Sequence, residues 1–250
     1  MRDALRMTSC EVTSSDGVAV SIDHHDAGHG AAVIICPGFF QSKETATFQR
    51  MSRALAETHD VLAMDFRGHG RSGGLYTFSA REAADLEAVL RWAAGRYQRI
   101  GIVGFSMGGA IAINTLARQP AAARTLIAVS APSSFEEIEF KFWTPEAMRT
   151  GLQGLEPGAG CRPGNPLLPK ERPVDSLRSC QGLPMLFIHG TRDVIVGVQH
   201  SRRLYAAAAE PKQLEIIEGG SHGEALFRDE PERLTGPIRS WLAQHLPVSV

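Results

Sequence analysis

One serine stands between two glycines in Gly104-Phe105-Ser106-Met107-Gly108, inside the run "IGIVGFSMGGAIAI" over 100–113. Ile100, Ile102 and Val103 read as a buried strand, and the small apolar residues after Ser106 show no strand alternation. Gly-x-Ser-x-Gly at a strand-to-helix junction is the pattern of a nucleophile elbow. There the serine backbone is strained, the glycines let neighbouring chain pass without Cβ clashes, and the hydroxyl is thrust out at the strand's C-terminal end. The start of the following helix favours negative charge nearby. A serine hydroxyl becomes a useful nucleophile only with a base, and the base needs an orienting acid. "FIHGTRD" puts Asp193 just past one buried strand, and "EGGSHGEA" puts His222 just past the next. Taken singly, each has a plainer explanation: a glycine-rich turn, a loop carboxylate, an exposed histidine. Their shared position at strand carboxyl ends, where open α/β sheets bind ligands, sets the three apart.

The elements that must position them alternate along the chain. Strands are expected at 32–38, 60–66, 99–105, 125–132, 184–190 and 212–219. Helices are expected at 42–57 with Ser42 as N-cap, 79–95 with Ser79 as N-cap and Gly95 as stop, 107–119, 197–210 and 235–246. Fully apolar strands between helices imply a mostly parallel sheet covered on both faces, hence an α/β fold. Residues 10–26 read instead as a hairpin around Asp16-Gly17. Residues 134–183 hold no βα unit. Phe135, Ile138 and Phe142 fit one helical face, Thr144-Pro145 fits a helix start, and a Gly/Pro-dense stretch follows. A long irregular stretch in a compact domain is expected to be a small cap or lid on a single domain spanning 1–250.

Acyl transfer also needs donors for a developing oxyanion. The turn "CPGFFQSKE" after the first parallel strand offers the backbone N–H of Phe39 or Phe40, and Met107, next to Ser106, offers a second. Phe39, Phe40, Phe105, Met107, Phe142 and Trp143 are candidates for an apolar acyl pocket, with ordinary packing as the alternative for each.

With "MDFRGHGRS" (64–72), "GFSMGG" (104–109), "HGTRD" (189–193) and "GGSH" (219–222) in place, the chain resembles the α/β-hydrolase family in its esterase, lipase and thioesterase branch. The likeness runs from about residue 10 to 246. It implies about eight mostly parallel strands, Ser106 as nucleophile, His222 as base, Asp193 as acid, Phe39 and Met107 as backbone oxyanion donors, and 134–183 as a cap. Pro37-Gly38 stands where many relatives have His-Gly, so Phe40 remains a competing donor. Some relatives carry the acid after the preceding strand. Here that region reads "VSAPSS", without a carboxylate, which favours Asp193.

The expected reaction is hydrolysis of small to medium carboxylic esters through an acyl-enzyme. A thioesterase or acyltransferase on the same triad is the alternative, and a non-catalytic ligand receptor is the reading from another class. No cofactor is expected: "GGSHGE" lacks the Lys-Ser/Thr of a phosphate loop. No metal is expected either, "DHHDAGH" (23–29) being read as a solvated loop without ligand spacing. His69 and Arg67 read as loop-fixing residues. A net charge of -1 argues against nucleic acid or an anionic membrane as partner, and no apolar run reaches spanning length. The start has no signal-peptide core and the four cysteines form no C-x-x-C, so a cytoplasmic monomer or homodimer with free thiols is expected.

Overall fold

The computed structural model describes residues 6–136 and 156–248. An eight-stranded sheet has the order β1-β2-β4-β3-β5-β6-β7-β8. Strands β1 (Arg6–Thr13) and β2 (Ala19–Asp26) form the expected hairpin, its turn carried by Gly17 at φ 85°. β2 pairs antiparallel with β4 (Asp60–Met64). From there β3 (Ala32–Cys36), β5 (Ile100–Phe105), β6 (Thr125–Val129), β7 (Met185–Gly190) and β8 (Lys212–Ile217) run parallel.

Every residue of β3 to β7 is buried, as their largely apolar runs predict, with Asp60, Thr125 and His189 as buried polar members. The period of two then sorts their side chains into two cores. Ile34, Leu62, Ile102 and Phe187 face α2 (Ala83–Ala94) and α3 (Met107–Arg118). Val33, Val61, Val103 and Leu186 face Phe48, Met51 and Leu55 of α1 (Ala46–Ala56), and Ile238, Trp241 and Leu242 of the C-terminal helix.

Several helix starts differ from expectation. Ser42 is not the N-cap of α1. Its carbonyl and hydroxyl close a turn by accepting from Thr45 N and Glu44 N, so the helix waits for Ala46. Ser79 does not cap α2, because its own φ of 75° lies in the left-handed region. Glu82 instead folds back to accept from Thr77 N and Oγ1, and α2 begins at Ala83. A helix absent from the sequence reading, Gly223–Asp229, follows His222, and the last helix starts at Pro231 rather than 235. Among the described residues, the α-helices after α3 are, in chain order, α4 (Pro173–Ser176), α5 (Gln199–Ala207), α6 (Gly223–Asp229) and α7 (Pro231–His245).

The expected cap is described in part. Ser134 to Glu136 and 156–183 are described, while Ile138, Thr144-Pro145, Phe142 and Trp143 lie outside the described residues. The Gly/Pro-rich stretch is tied to the loop after β4. Arg162 N donates to Gly68 O, Tyr76 N to Arg162 O and Gly164 N to Tyr76 O, at 2.7, 2.9 and 2.7 Å. Among the described residues, no helix is long and apolar enough to cross a membrane.

Residues 23–26 are not a loop but the end of β2. The alternation that places His24 beside Tyr97 was hidden by its polar composition. The Tyr97 hydroxyl donates to Asp60 Oδ2 at 2.9 Å, leaving His24 Nε2 to donate to the same hydroxyl at 2.6 Å. Asp60 Oδ1 accepts from Ala27 N and His29 N. His24, Asp26 and Asp60 bring potential ligand atoms within 4.8 Å of one another, but His24 Nε2 and Asp60 are already engaged in this bracing network.

Candidate active site

β5 ends at Phe105 and α3 begins at Met107, so Ser106 alone makes the turn, at φ 49° and ψ -118°. The flanking glycines are sterically required. A Cβ on Gly104 would lie 2.6 Å from Gly109 Cα, and one on Gly108 would lie 2.3 Å from Cys36 O. A side chain at 104 would push the first turn of α3 off β5, and one at 108 would push it off the end of β3, so the tight turn at Ser106 requires glycine at both places.

β7 and β8 bring the other two residues to the same end of the sheet. Asp193 follows β7, and its Oδ1 accepts from Ile195 N and Val196 N at 2.9 and 2.8 Å. Its Oδ2 faces His222 Nδ1 at 2.7 Å. Both side chains are almost fully removed from solvent. Burial alone would raise the Asp193 pKa. The positive charge that His222 can carry, and hydrogen bonds from His189 and His222, hold it well below the carboxylate range instead. For His222, burial opposes protonation, but the Asp193 and Glu224 charges and the Asp193 bond outweigh it, so its pKa is raised above the ordinary histidine value. With Nδ1–H donated to Asp193, Nε2 is the ring's free base.

No hydrogen bond joins Ser106 Oγ to His222 among the described residues; the elbow and the Asp193–His222 pair are set at one sheet end with that last contact open. Such contacts commonly close only around substrate.

Three residues not singled out from sequence support the pair. His189 Nε2 donates to Val196 O at 2.7 Å and lies 3.2 Å from Asp193 Oδ2, while the Ser201 hydroxyl binds its Nδ1. Ser130 Oγ accepts from Gly223 N, fixing the chain just after His222. Glu224 adds a second carboxylate near the ring. His189 was visible inside "HGTRD", but only packing distinguishes it from a solvent-facing strand residue.

The turn after β3 separates the two phenylalanine N–H groups. Phe40 N donates to His69 Nε2 at 3.2 Å, and His69 Nδ1 lies 3.1 Å from Arg67 O. Burial, opposed by the Arg67 carbonyl, lowers the His69 pKa to about 4, consistent with a neutral ring that donates from Nδ1 and accepts at Nε2. His69 is thus a loop-fixing residue, as expected. Among the described residues neither Phe39 N–H nor Met107 N–H has an acceptor, the latter being a first-turn helix donor.

A cavity of about 560 Å³ opens over Ser106 and Met107. Phe39, Tyr76 and Phe78 make an aromatic wall, with Phe39–Tyr76 and Tyr76–Phe78 ring centroids 5.2 and 4.5 Å apart. Phe135, Pro166 and Leu168 of the expected cap face Ile195 and Val196. Two expected pocket residues do not line this cavity. Phe105 is fully buried in the core against Phe48, because strand alternation turns it away from the side to which the elbow delivers Ser106. Phe40, at φ 68°, is swung outward and 39% exposed.

A sequence model of the "Alpha/beta hydrolase family" matches residues 33–235. Among curated proteins, the chain is 29% identical over 235 residues to "Uncharacterized protein Rv2307c" of Mycobacterium tuberculosis, covering 91% of this chain and 74% of that one. It is 25% identical to "Uncharacterized protein YfhR" of Escherichia coli, covering 89% and 74%. Among solved structures, esterase Pf2001 of Pyrococcus furiosus superposes with a TM-score of 0.79 at 23% identity, covering 96% and 92% of the two chains. Esterase RhEst1 from Rhodococcus sp. ECU1013 superposes with 0.77 at 23% identity, covering 96% and 100%. At these identities the superpositions speak for the fold, the sheet order agrees with them, and the family match spans most of the chain: this protein belongs to the alpha/beta hydrolase family.

Proposed function

We propose that the protein is a serine hydrolase that cleaves carboxylic esters of small to medium acyl groups through an acyl-enzyme. The observation that carries this reading is the Asp193–His222 contact of 2.7 Å at the sheet end where Ser106 turns into an apolar cavity. In the first half-reaction, Ser106 Oγ attacks the ester carbonyl carbon while His222 Nε2 takes the hydroxyl proton. Asp193 holds the ring by Nδ1 and stabilises the imidazolium. Phe39 N–H and Met107 N–H receive the oxyanion, and the commitment of Phe40 N–H to His69 supports Phe39 as the donor. His222 then protonates the departing alcohol. In the second half-reaction, water attacks the acyl carbon, gives its proton to His222 and releases the acid, and the proton returns to Ser106. The chemistry calls on no metal or cofactor, and the apolar walls suit an unbranched or aromatic acyl group. Residues 134–183 act as the cap, with Phe135, Pro166 and Leu168 as its contribution to the walls.

Hydrolysis of p-nitrophenyl esters from acetate to laurate, by wild type and Ser106→Ala in parallel, tests this. Turnover by wild type alone, with a chain-length optimum, is the expected outcome. Equal rates for both proteins would remove Ser106 from the reaction.

A further inference from the structure

Glu224 lies two residues beyond His222 in the first turn of α6. A carboxylate there complements the helix N-terminus without leaving the surface. This one turns inward. Gln41 Nε2 donates to its Oε1 at 3.3 Å, whereas Oε2 is buried and meets no donor from the described residues. Buried carboxylate oxygens are ordinarily matched by donors, so the orientation calls for a ligand that brings its own hydrogen.

Gly38 shows where Oε2 points. The Cβ position of this glycine lies 3.2 Å from Ser106 Cβ and 3.9 Å from Glu224 Oε2. Ser106 Cβ, the Phe105 carbonyl oxygen at 3.4 Å and Glu224 Oε2 thus surround one face of Gly38, which places no side chain of its own among them. Asp193, His189 and Ser130 are each matched to a partner, and His69 is locked to Phe40. Besides His222 Nε2, the base itself, Glu224 Oε2 is an acceptor near Ser106 that is buried and has nothing to accept among the described residues.

We propose that Glu224 Oε2 holds the water that hydrolyses the acyl-enzyme, which makes Glu224 a catalytic residue of the second half-reaction; this rests on the serine-hydrolase reading above. The water donates one hydrogen bond to Oε2 and its other proton to His222 Nε2. Its oxygen bonds to the acyl carbon, the Ser106 Oγ–carbon bond breaks, and His222 returns the proton to Oγ. Water and acyl-serine thus become free acid and serine, and the carboxylate of Glu224 is unchanged. Acylation has no water in it, so Glu224 holds a reactant in the second half only, while its charge beside His222 is common to both halves.

Stopped-flow hydrolysis of p-nitrophenyl butyrate by the full chain and by Glu224→Gln separates the halves. At a pH above the acid limb of both proteins, the variant is expected to acylate within about threefold of wild type while its steady-state rate falls about tenfold or more, with butyryl-enzyme accumulating by intact mass. Equal losses in both phases, or no loss in either, would overturn the proposal. A wild type that neither turns over nor takes a fluorophosphonate on Ser106 sinks the serine-hydrolase reading, and the deacylation role falls with it. A wild type that takes the label but gives no burst is decided by a high-resolution crystal structure. A water about 2.8 Å from Oε2 and facing Ser106 supports the proposal, and a dry Oε2 refutes it.

Discussion

Asp85 and Asp193 are both carboxylates with no solvent exposure, yet they are solved in opposite ways. Asp85 meets Arg67, a cation that never titrates. It accepts from Arg67 N, Nε and Nη2 at 2.9, 3.0 and 2.7 Å, and Arg67 also grips Asp16. That closed cluster ties hairpin, loop and α2 together. Burial still dominates at Asp85 and pushes its pKa up to about 6 despite Arg67. Asp193 meets His222, whose charge can change, and draws the rest of its stabilisation from two backbone N–H groups and His189. A carboxylate locked to a fixed charge can only hold structure. One that shares a partner able to gain and lose a proton can take part in chemistry.

Breaking each pair should therefore produce different failures. The largest effect is expected from Asp193→Asn, which keeps the shape but loses the charge and the ring's tautomer. Ester turnover should fall by about 10⁴, with folding largely retained by circular dichroism. Arg67→Ala should do the reverse. It leaves Asp85 buried without its cation and should cost about 3–5 kcal/mol in denaturant unfolding, while kcat per folded molecule moves little. If Arg67→Ala instead lost activity with stability intact, the division between holding and reacting would be wrong.

The third prediction concerns pH. His222 must be neutral to act as base, and its raised pKa keeps the ring protonated to higher pH. The acid limb of kcat/KM should therefore lie above the ordinary histidine value of 6.5. Glu224 is one of the causes of that rise, so Glu224→Gln should move the limb toward lower pH, as read from a pH–rate profile. A limb that moves upward would reverse the assigned sign. The smallest effect is expected from His69→Ala, which frees Phe40 N–H and loosens the Phe39 turn. A drop in kcat of about tenfold or less with KM nearly unchanged would fit a positioning role.

How much of this was legible in the sequence follows from what each residue depends on. The elbow shows itself locally, because only glycine fits against the first turn of α3 at 104 and against the end of β3 at 108. The meeting of Asp193 with His222 was legible from chain order and strand ends, and the apolar runs located each parallel strand, overrunning several C-terminal ends by two or three residues. Helix starts were less legible. Ser42 and Ser79 have the right side chain for a cap, but a turn and a left-handed φ use them otherwise. Phe105 was misread as a pocket residue because its parity relative to Ser106 is fixed by the turn, not by composition. Tyr76 and Phe78 escaped notice because they reach the cavity from an irregular loop with no periodicity. Glu224 resembles any first-turn glutamate until the burial of Oε2 is known.

The most direct measurement is covalent labelling by a fluorophosphonate, followed by peptide mass mapping of wild type and Asp193→Asn. The account predicts one phosphonyl group per chain on the peptide carrying Ser106, formed far more slowly in Asp193→Asn. An unlabelled Ser106, or equal labelling of both proteins, would contradict a serine activated through His222 and Asp193.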